Sequence, residues 1–237
     1  MSIDAAALAE SLRRLTLSRE DNGSVVTALE AVLDACVDLF DVRGAGLLVA
    51  DEQDMLRYVA ATEGPGRLLE QTEAAAGEGP CTEAFVEARV ITTRDVTDDP
   101  EHRWPTLARA MAAQPVRAVL GTPVRVGGVP VGTLDVYREH AHDWDDSEVT
   151  ALARYAEVIA TTLMAAVQAH TAGELARQLQ YALDYRVVIE RAVGYLMAKE
   201  STDPVAAFNA LRTAARSRRT KIGLVAEQVL ETGALPV

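Results

Sequence analysis

The sequence predicts an α+β protein: an antiparallel sheet domain with helices, joined by a long helix to an all-α module of three short helices. Three observations lead there. Residues 117–139 read as two strand-like runs around Gly127-Gly128, and a two-residue Gly-Gly link suits a primed turn, whose residues take positive φ. From Asp146 onward, Leu152, Tyr155, Ile159, Leu163 and Val167 recur at steps of three and four, the period of one helix face. Residues 178–235 then hold three amphipathic stretches separated by cap and turn residues.

The elements follow in chain order. Leu8, Leu12 and Leu15 form one stripe and predict a helix over 3–17. SREDNGS (18–24) ends it, and Ser24 is placed to cap a second helix, Val25 to Phe40, with Cys36 on its apolar face. Two apolar runs around a polar turn predict a hairpin over 44–62. Residues 64–78 read as helix or loop and end in the Gly-rich turn GEGP. A short helix (81–89), a strand (90–96), a loop (98–105) and another short helix (107–114) follow. In the second strand of the Gly-Gly hairpin, Pro130 marks an irregular position, because proline has no N–H to give the ladder. Asp145 and Glu148 resemble a capping box at the start of the long helix. Gly173 is a candidate kink, and Leu175, Leu179 and Leu183 resume the seam beyond it. A helix of that length with one apolar seam is suited to pairing with a second copy. In the module, Asp203 with Pro204 forms a cap and first-turn pair, Thr220 is placed to cap the last helix, and Gly233 is a stop signal. The inward faces are predicted to carry Val188, Ile189, Ala192, Val193, Leu196 and Met197; Val205, Phe208, Leu211 and Ala215; and Ile222, Val225, Ala226, Val229 and Leu230. The chain thus divides into an N-terminal helical tail (1–22), a sheet domain (23–168), a linker helix (169–177) and the C-terminal module (178–235).

Charge separates the same parts. The chain carries −12 overall, but residues 180–237 hold eight basic residues against six acids, whereas the rest is strongly acidic. Arg212, Arg216 and Arg219 fall on one side at the end of the second module helix, and Arg218 and Lys221 extend the patch. Arg186 and Arg191 lie on the first. Such clustering is the footprint of phosphate binding, although basic helix ends also complement the helix macrodipole without any partner.

Several chemistries are excluded by pattern. Cys36 and Cys81 show no metal-ligand spacing, and the histidines include no paired-ligand motif. The Gly-x-Gly pairs lack phosphate-loop spacing. Neither a secretory leader nor a membrane-length apolar run is evident, so a cytoplasmic protein without membrane contact is expected. No cofactor is specified. Cys81 stands at a helix start, where a thiol pKa is lowered. That leaves open either a redox or covalent role or simple packing under the turn.

Two ordered sets of residues carry family resemblances. GEGPCTEAF (77–85), VITTRDV (90–96), RWP (103–105), RAVLGTPV (117–124) and VPVGTLDVY (129–137) resemble a GAF domain over residues 24–168. The resemblance implies a sensory fold: a sheet with helices on one side and a small-molecule pocket on the other. Its pocket walls would include Cys81, Phe85, Trp104, Leu134 and Tyr137. The pattern R-x-x-I-E-x-A-x-G-x-L-M (186–197), then A-F-x-x-L-R-x-x-A (207–215) and K-I-x-x-V-A (221–226), is similar to the ANTAR domain, a three-helix RNA-binding module of bacterial antiterminators. Val193 departs from it, where the family commonly carries a polar or basic residue. The resemblance implies a homodimer acting on leader-RNA hairpins, with Arg186, Arg191, Arg212, Arg216, Arg218, Arg219 and Lys221 as the RNA-binding set and no catalytic residues. Two other readings remain at this stage: a ligand-binding or dimerisation scaffold whose basic module docks an acidic protein, and a redox enzyme using Cys81.

Overall fold

A computed structural model describes residues 2–18, 24–51, 56–62, 66–98, 102–168 and 173–236. Its centre is the Gly-Gly hairpin. Strand β4 (Ala118–Val126) turns through Gly127 and Gly128, with φ of 61° and 86°, into β5 (Val129–Arg138). The ladder shifts register between Val124 and Arg125, opposite Pro130, so the proline falls at the irregularity expected of it. β5 also pairs with β1 (Gly44–Ala50), which pairs with β2 (Leu56–Ala61), while β4 pairs with the short β3 (Ile91–Thr93). All pairings are antiparallel and the order is β2-β1-β5-β4-β3.

Side-chain alternation along the strands gives the sheet two different faces. On one, Leu47, Val49, Leu120, Leu134 and Val136 form a core with α1 (Ala5–Ser18), α2 (Val25–Phe40) and α6 (Asp146–Gln168). Cys36 lies in this core, as its stripe position predicts. The opposite face carries Gly46, Leu48, Thr133, Asp135 and Tyr137. It is covered by α3 (Gly66–Ala76), α4 (Pro80–Glu87) and α5 (Pro105–Met111). Leu134, expected in the wall of the pocket, therefore points away from it into the α2–α6 core; alternation leaves it no other side.

The α6 cap forms as the sequence indicates. Asp145 Oδ1 accepts from the amides of Ser147 and Glu148 at 2.8 and 3.0 Å, and Glu148 Oε2 accepts from the Asp145 amide at 2.9 Å. By length and composition α6 could cross a membrane. Its apolar stripe, Leu152, Tyr155, Ile159 and Leu163, is instead buried against the sheet and α2. The long helix is not continuous. α7 (Glu174–Glu200) begins after Gly173, whose φ is 50°, and residues 169–172 of the expected linker helix lie outside the described residues. The seam expected to pair two copies is thus used within the chain over α6. Leu175 and Leu179 lie outside the described side chains, and Leu183 packs on the α2–α6 core.

α8 (Pro204–Arg218) and α9 (Ile222–Thr232) complete the module. Asp203 Oδ1 caps α8 by accepting from the Ala206 amide at 2.8 Å, and Gly233 closes α9 with φ of 71°. Three expectations are corrected here. Ser24 sits at the α2 N-cap but makes no side-chain cap bond. Lys221, not Thr220, is the α9 N-cap, because α8 runs through Arg218 and Arg219 turns left-handed. Leu230 is 41% exposed, the α9 core face ending at Val229.

Candidate functional site

The C-terminal module packs on the same sheet face as the small helices, over the part carrying Leu48, Ala50 and Leu56. Leu48, Ala50 and Leu56 of the sheet and Cys81 and Phe85 of α4 share one apolar cluster with Ile189, Leu196, Phe208, Leu211, Val225 and Val229. Phe85 and Phe208 meet edge to face, centroids 6.2 Å apart. Burying a side chain of that size contributes roughly 2 kcal/mol.

Polar contacts fix the register of this junction, and two of them use residues of the basic set. Arg186 on α7 is 2% exposed. Its Nη2 donates to the Phe85 carbonyl at 3.0 Å, its guanidinium lies 4.3 Å from the Phe85 ring centre, and Nε meets Glu190 at 3.2 Å. Arg212 on α8 is 8% exposed and rests on Gly77, the left-handed residue that ends α3. Burial and the neighbouring Arg216 lower its pKa. One turn earlier, the Asn209 side-chain amide donates to the Gly77 carbonyl at 3.2 Å. Arg191, Arg216, Arg218 and Arg219 are exposed, and Lys221 is half-buried with its ammonium 4.7 Å from the Tyr181 ring. The seven expected RNA-binding residues therefore divide into five on the outside and two held against the sheet domain. Sequence reading had no signal for that division, since it depends on a contact between residues more than 100 positions apart.

Beneath the junction lies the inner site. Cys81, Phe85 and Tyr137, three of the residues expected to wall a pocket, are buried side chains. Trp104 sits to one side, donating to Glu83 Oε2 at 3.1 Å with Arg103 stacked 4.1 Å over its ring. Three carboxyls that the sequence did not single out, Glu70, Glu73 and Asp135, occupy the centre and are fully buried. A Cβ at Gly46 would collide with the Glu70 carboxyl, and one at Gly79 with Glu73. Glu73 Oε2 accepts from the amides of Cys81 and Thr82 at 2.8 and 3.1 Å, at the start of α4. Burial, reinforced by their mutual repulsion, raises these carboxyl pKa values: Glu73 to about 8, and Glu70 well above its ordinary value. Burial raises Asp135 to about 7, against the lowering effect of its hydrogen bond with the Cys81 thiol. The helix-start expectation for Cys81 is overturned by the same acids: burial first, then Asp135, Glu73 and Glu70, push its thiol well above the ordinary value. Among the described residues no group of three or more His, Cys, Asp or Glu is placed to hold a metal ion.

Comparison with known proteins identifies the class. A family model for the GAF domain matches residues 23–164, and one for the ANTAR domain matches residues 177–230. The chain belongs to the GAF family. Similar solved folds include the free methionine-R-sulfoxide reductase from Neisseria meningitidis (20% identity, TM-score 0.55, covering 71% of this chain and 96% of that one). The GAF domain of a Coxiella burnetii phosphoenolpyruvate-protein phosphotransferase is also similar (17%, TM-score 0.56, 70% and 98%). So is a domain described as from a two-component sensor histidine kinase of Sinorhizobium meliloti (19%, TM-score 0.52, 64% and 100%). Among curated proteins none matches. At these identities the solved structures establish the fold alone. A GAF sensory domain followed by an ANTAR domain is the content of an RNA-binding antitermination regulator, and both domains are regulatory rather than catalytic.

Proposed function

We propose that this protein is a signal-responsive antiterminator acting as a homodimer on leader-RNA hairpins in the cytoplasm, and that the described arrangement is its withheld state. The observation that supports this reading is the double use of the basic set: Arg186 and Arg212 are held by Phe85 and Gly77 while five companions remain outside. Undocking the module would deliver both guanidiniums to the patch formed by Arg191, Arg216, Arg218, Arg219 and Lys221. RNA would then be held by phosphate contacts together with readout of unpaired loop bases. Because the α6 seam is buried, pairing of copies falls to α7, where Val187 and Tyr195 are 46% and 39% exposed, flanking Arg191.

The test is binding to candidate leader hairpins across a salt series. If about five phosphates are neutralised, log K falls with log salt at a slope near −0.7 per phosphate. Arg216→Glu/Arg219→Glu should lower affinity and flatten that slope while leaving the docked fold intact. Equal affinity for both proteins, or no salt dependence, would refute RNA binding by this face. Co-purification of an acidic protein without RNA would favour the docking-scaffold reading instead.

A further inference from the structure

We propose that Tyr181 is a positioning residue for RNA binding: from α7 it holds Lys221, and the start of α9 with it, in the orientation that presents the ammonium to a phosphate. This rests on the RNA-binding reading above and gives that reading a residue outside the basic set.

Lys221 occupies a place that local chemistry disfavours. It is the N-cap of α9, a position that prefers side chains with an oxygen acceptor. Lysine has donors only, and Lys221 makes no side-chain cap bond. Its charge also opposes the positive end of the α9 dipole. Complementing a macrodipole accounts for basic residues at the end of α8 without any partner, but it does not account for a lysine at the start of α9. Arg218 and Arg219, just before it, add like charge. A residue that breaks local rules in this way marks a functional position.

Tyr181 offsets both faults from another helix. Its hydroxyl accepts from the Gly223 amide at 3.0 Å, supplying the acceptor that the N-cap side chain lacks. Its ring lies 4.7 Å from Lys221 Nζ, a cation–π contact that holds the ammonium against the neighbouring positive charge. The ring is itself fixed. Tyr181 is 6% exposed and stacks on Tyr185, with centroids 4.6 Å apart and 24° between the planes. Tyr185 in turn packs on the apolar cluster of the junction. Gly223 completes the arrangement, because a Cβ there would collide with the Tyr181 hydroxyl and the Tyr185 ring. Glycine is a poor helix residue; in the first turn of α9 it is what lets the two rings approach.

A free lysine side chain is flexible, and immobilising it on binding lowers affinity by a factor of about two to ten. At Lys221 that ordering is already done in the folded protein. Arg218 and Arg219 are exposed on the turn beside it, so one held ammonium is offered with two guanidiniums.

The experiment uses the full chain and a pool of hairpin RNAs with randomised loops. Binding across a salt series is measured for the wild type, Lys221→Ala, Tyr181→Leu and the double variant. Lys221→Ala should weaken binding and flatten the salt slope by about 0.7, the share of one phosphate. Tyr181→Leu removes no charge, yet should weaken binding about two- to tenfold. In the Lys221→Ala background it should weaken binding no further, since it acts through that lysine. A tyrosine that served stability alone would weaken both backgrounds alike. Nuclear magnetic resonance checks the geometry without RNA and without the leucine variant. The Lys221 ε-methylene protons should be shifted upfield by the ring in the wild type. Tyr181→Phe should keep that shift while speeding exchange of the Gly223 amide. No upfield shift in the wild type, unchanged or tighter binding by Tyr181→Leu, or equal losses in the two backgrounds would each overturn the role of Tyr181. A loss in Lys221→Ala with none in Tyr181→Leu removes that role and leaves the RNA reading standing. Absence of binding by the wild type overturns both.

Discussion

The Arg212 guanidinium lies where a side chain at Gly77 would have to be. Residue 77 ends α3 with φ of 71°, so it is constrained by backbone and by space at once. Gly77→Ala forces a left-handed alanine, costing about 1 kcal/mol, and displaces Arg212. The expected outcome is faster amide hydrogen exchange in α8 and tighter RNA binding, with little change in the exchange of β4 and β5. Unchanged α8 protection would show that Arg212 does not hold the module.

Arg186 and Arg191 lie on the same helix five residues apart, yet one is buried against Phe85 and the other is exposed. Arg186→Ala removes a charge-assisted bond and a ring contact at a desolvated site, a loss of roughly 2–3 kcal/mol. Arg191→Ala should stay within about 0.5 kcal/mol. Denaturant unfolding of the two variants measures the difference, and similar values would argue against the Arg186 contact.

Stability should fall as pH rises. Burial raises Glu73 to about 8 and Asp135 to about 7, so the folded protein keeps protons that the unfolded chain gives up at ordinary carboxylate values. The contribution is complete below about pH 4 and is lost as pH climbs through the folded values, each group removing up to about 1.4 kcal/mol per unit. Asp135→Asn should flatten the decline between about pH 5 and 7. Urea midpoints across that range give the answer, and a wild-type midpoint that rises instead would contradict the protonated cluster.

Both thiols should be slow to react. Cys36 and Cys81 are fully buried, and burial pushes each thiol upward, whereas reactive cysteines are accessible and low in pKa. Titration with a thiol reagent should give little reaction in the folded state and two equivalents after denaturation. Rapid native modification of Cys81 would reopen the redox reading.

Much of the fold was legible because it rests on local signals. The Gly127-Gly128 turn, the Asp145–Glu148 box and the Asp203-Pro204 start each involve residues within a few positions, and each appears in the structure. What could not be read was decided by partners distant in sequence. Glu70 and Glu73 look like ordinary helix-surface acids, and Asp135 sits unobtrusively in an apolar strand; only the folded sheet brings the three together. Arg186 and Arg212 likewise look like members of a solvated patch until Phe85 and Gly77 are placed beside them. Leu134 faces the α2–α6 core and not the pocket side, because one position along a strand reverses the face a side chain serves.

The apolar cluster at the junction draws its members from both family segments: Leu48, Ala50, Cys81 and Phe85 from one, Ile189, Phe208, Leu211 and Val229 from the other. The consequence concerns inheritance. A sensory domain transplanted onto a different output would carry an uncovered oily face, and the borrowed module would bring its own. A change of size at Phe85 therefore leaves a gap or a clash against Phe208, so the two positions constrain each other across the junction.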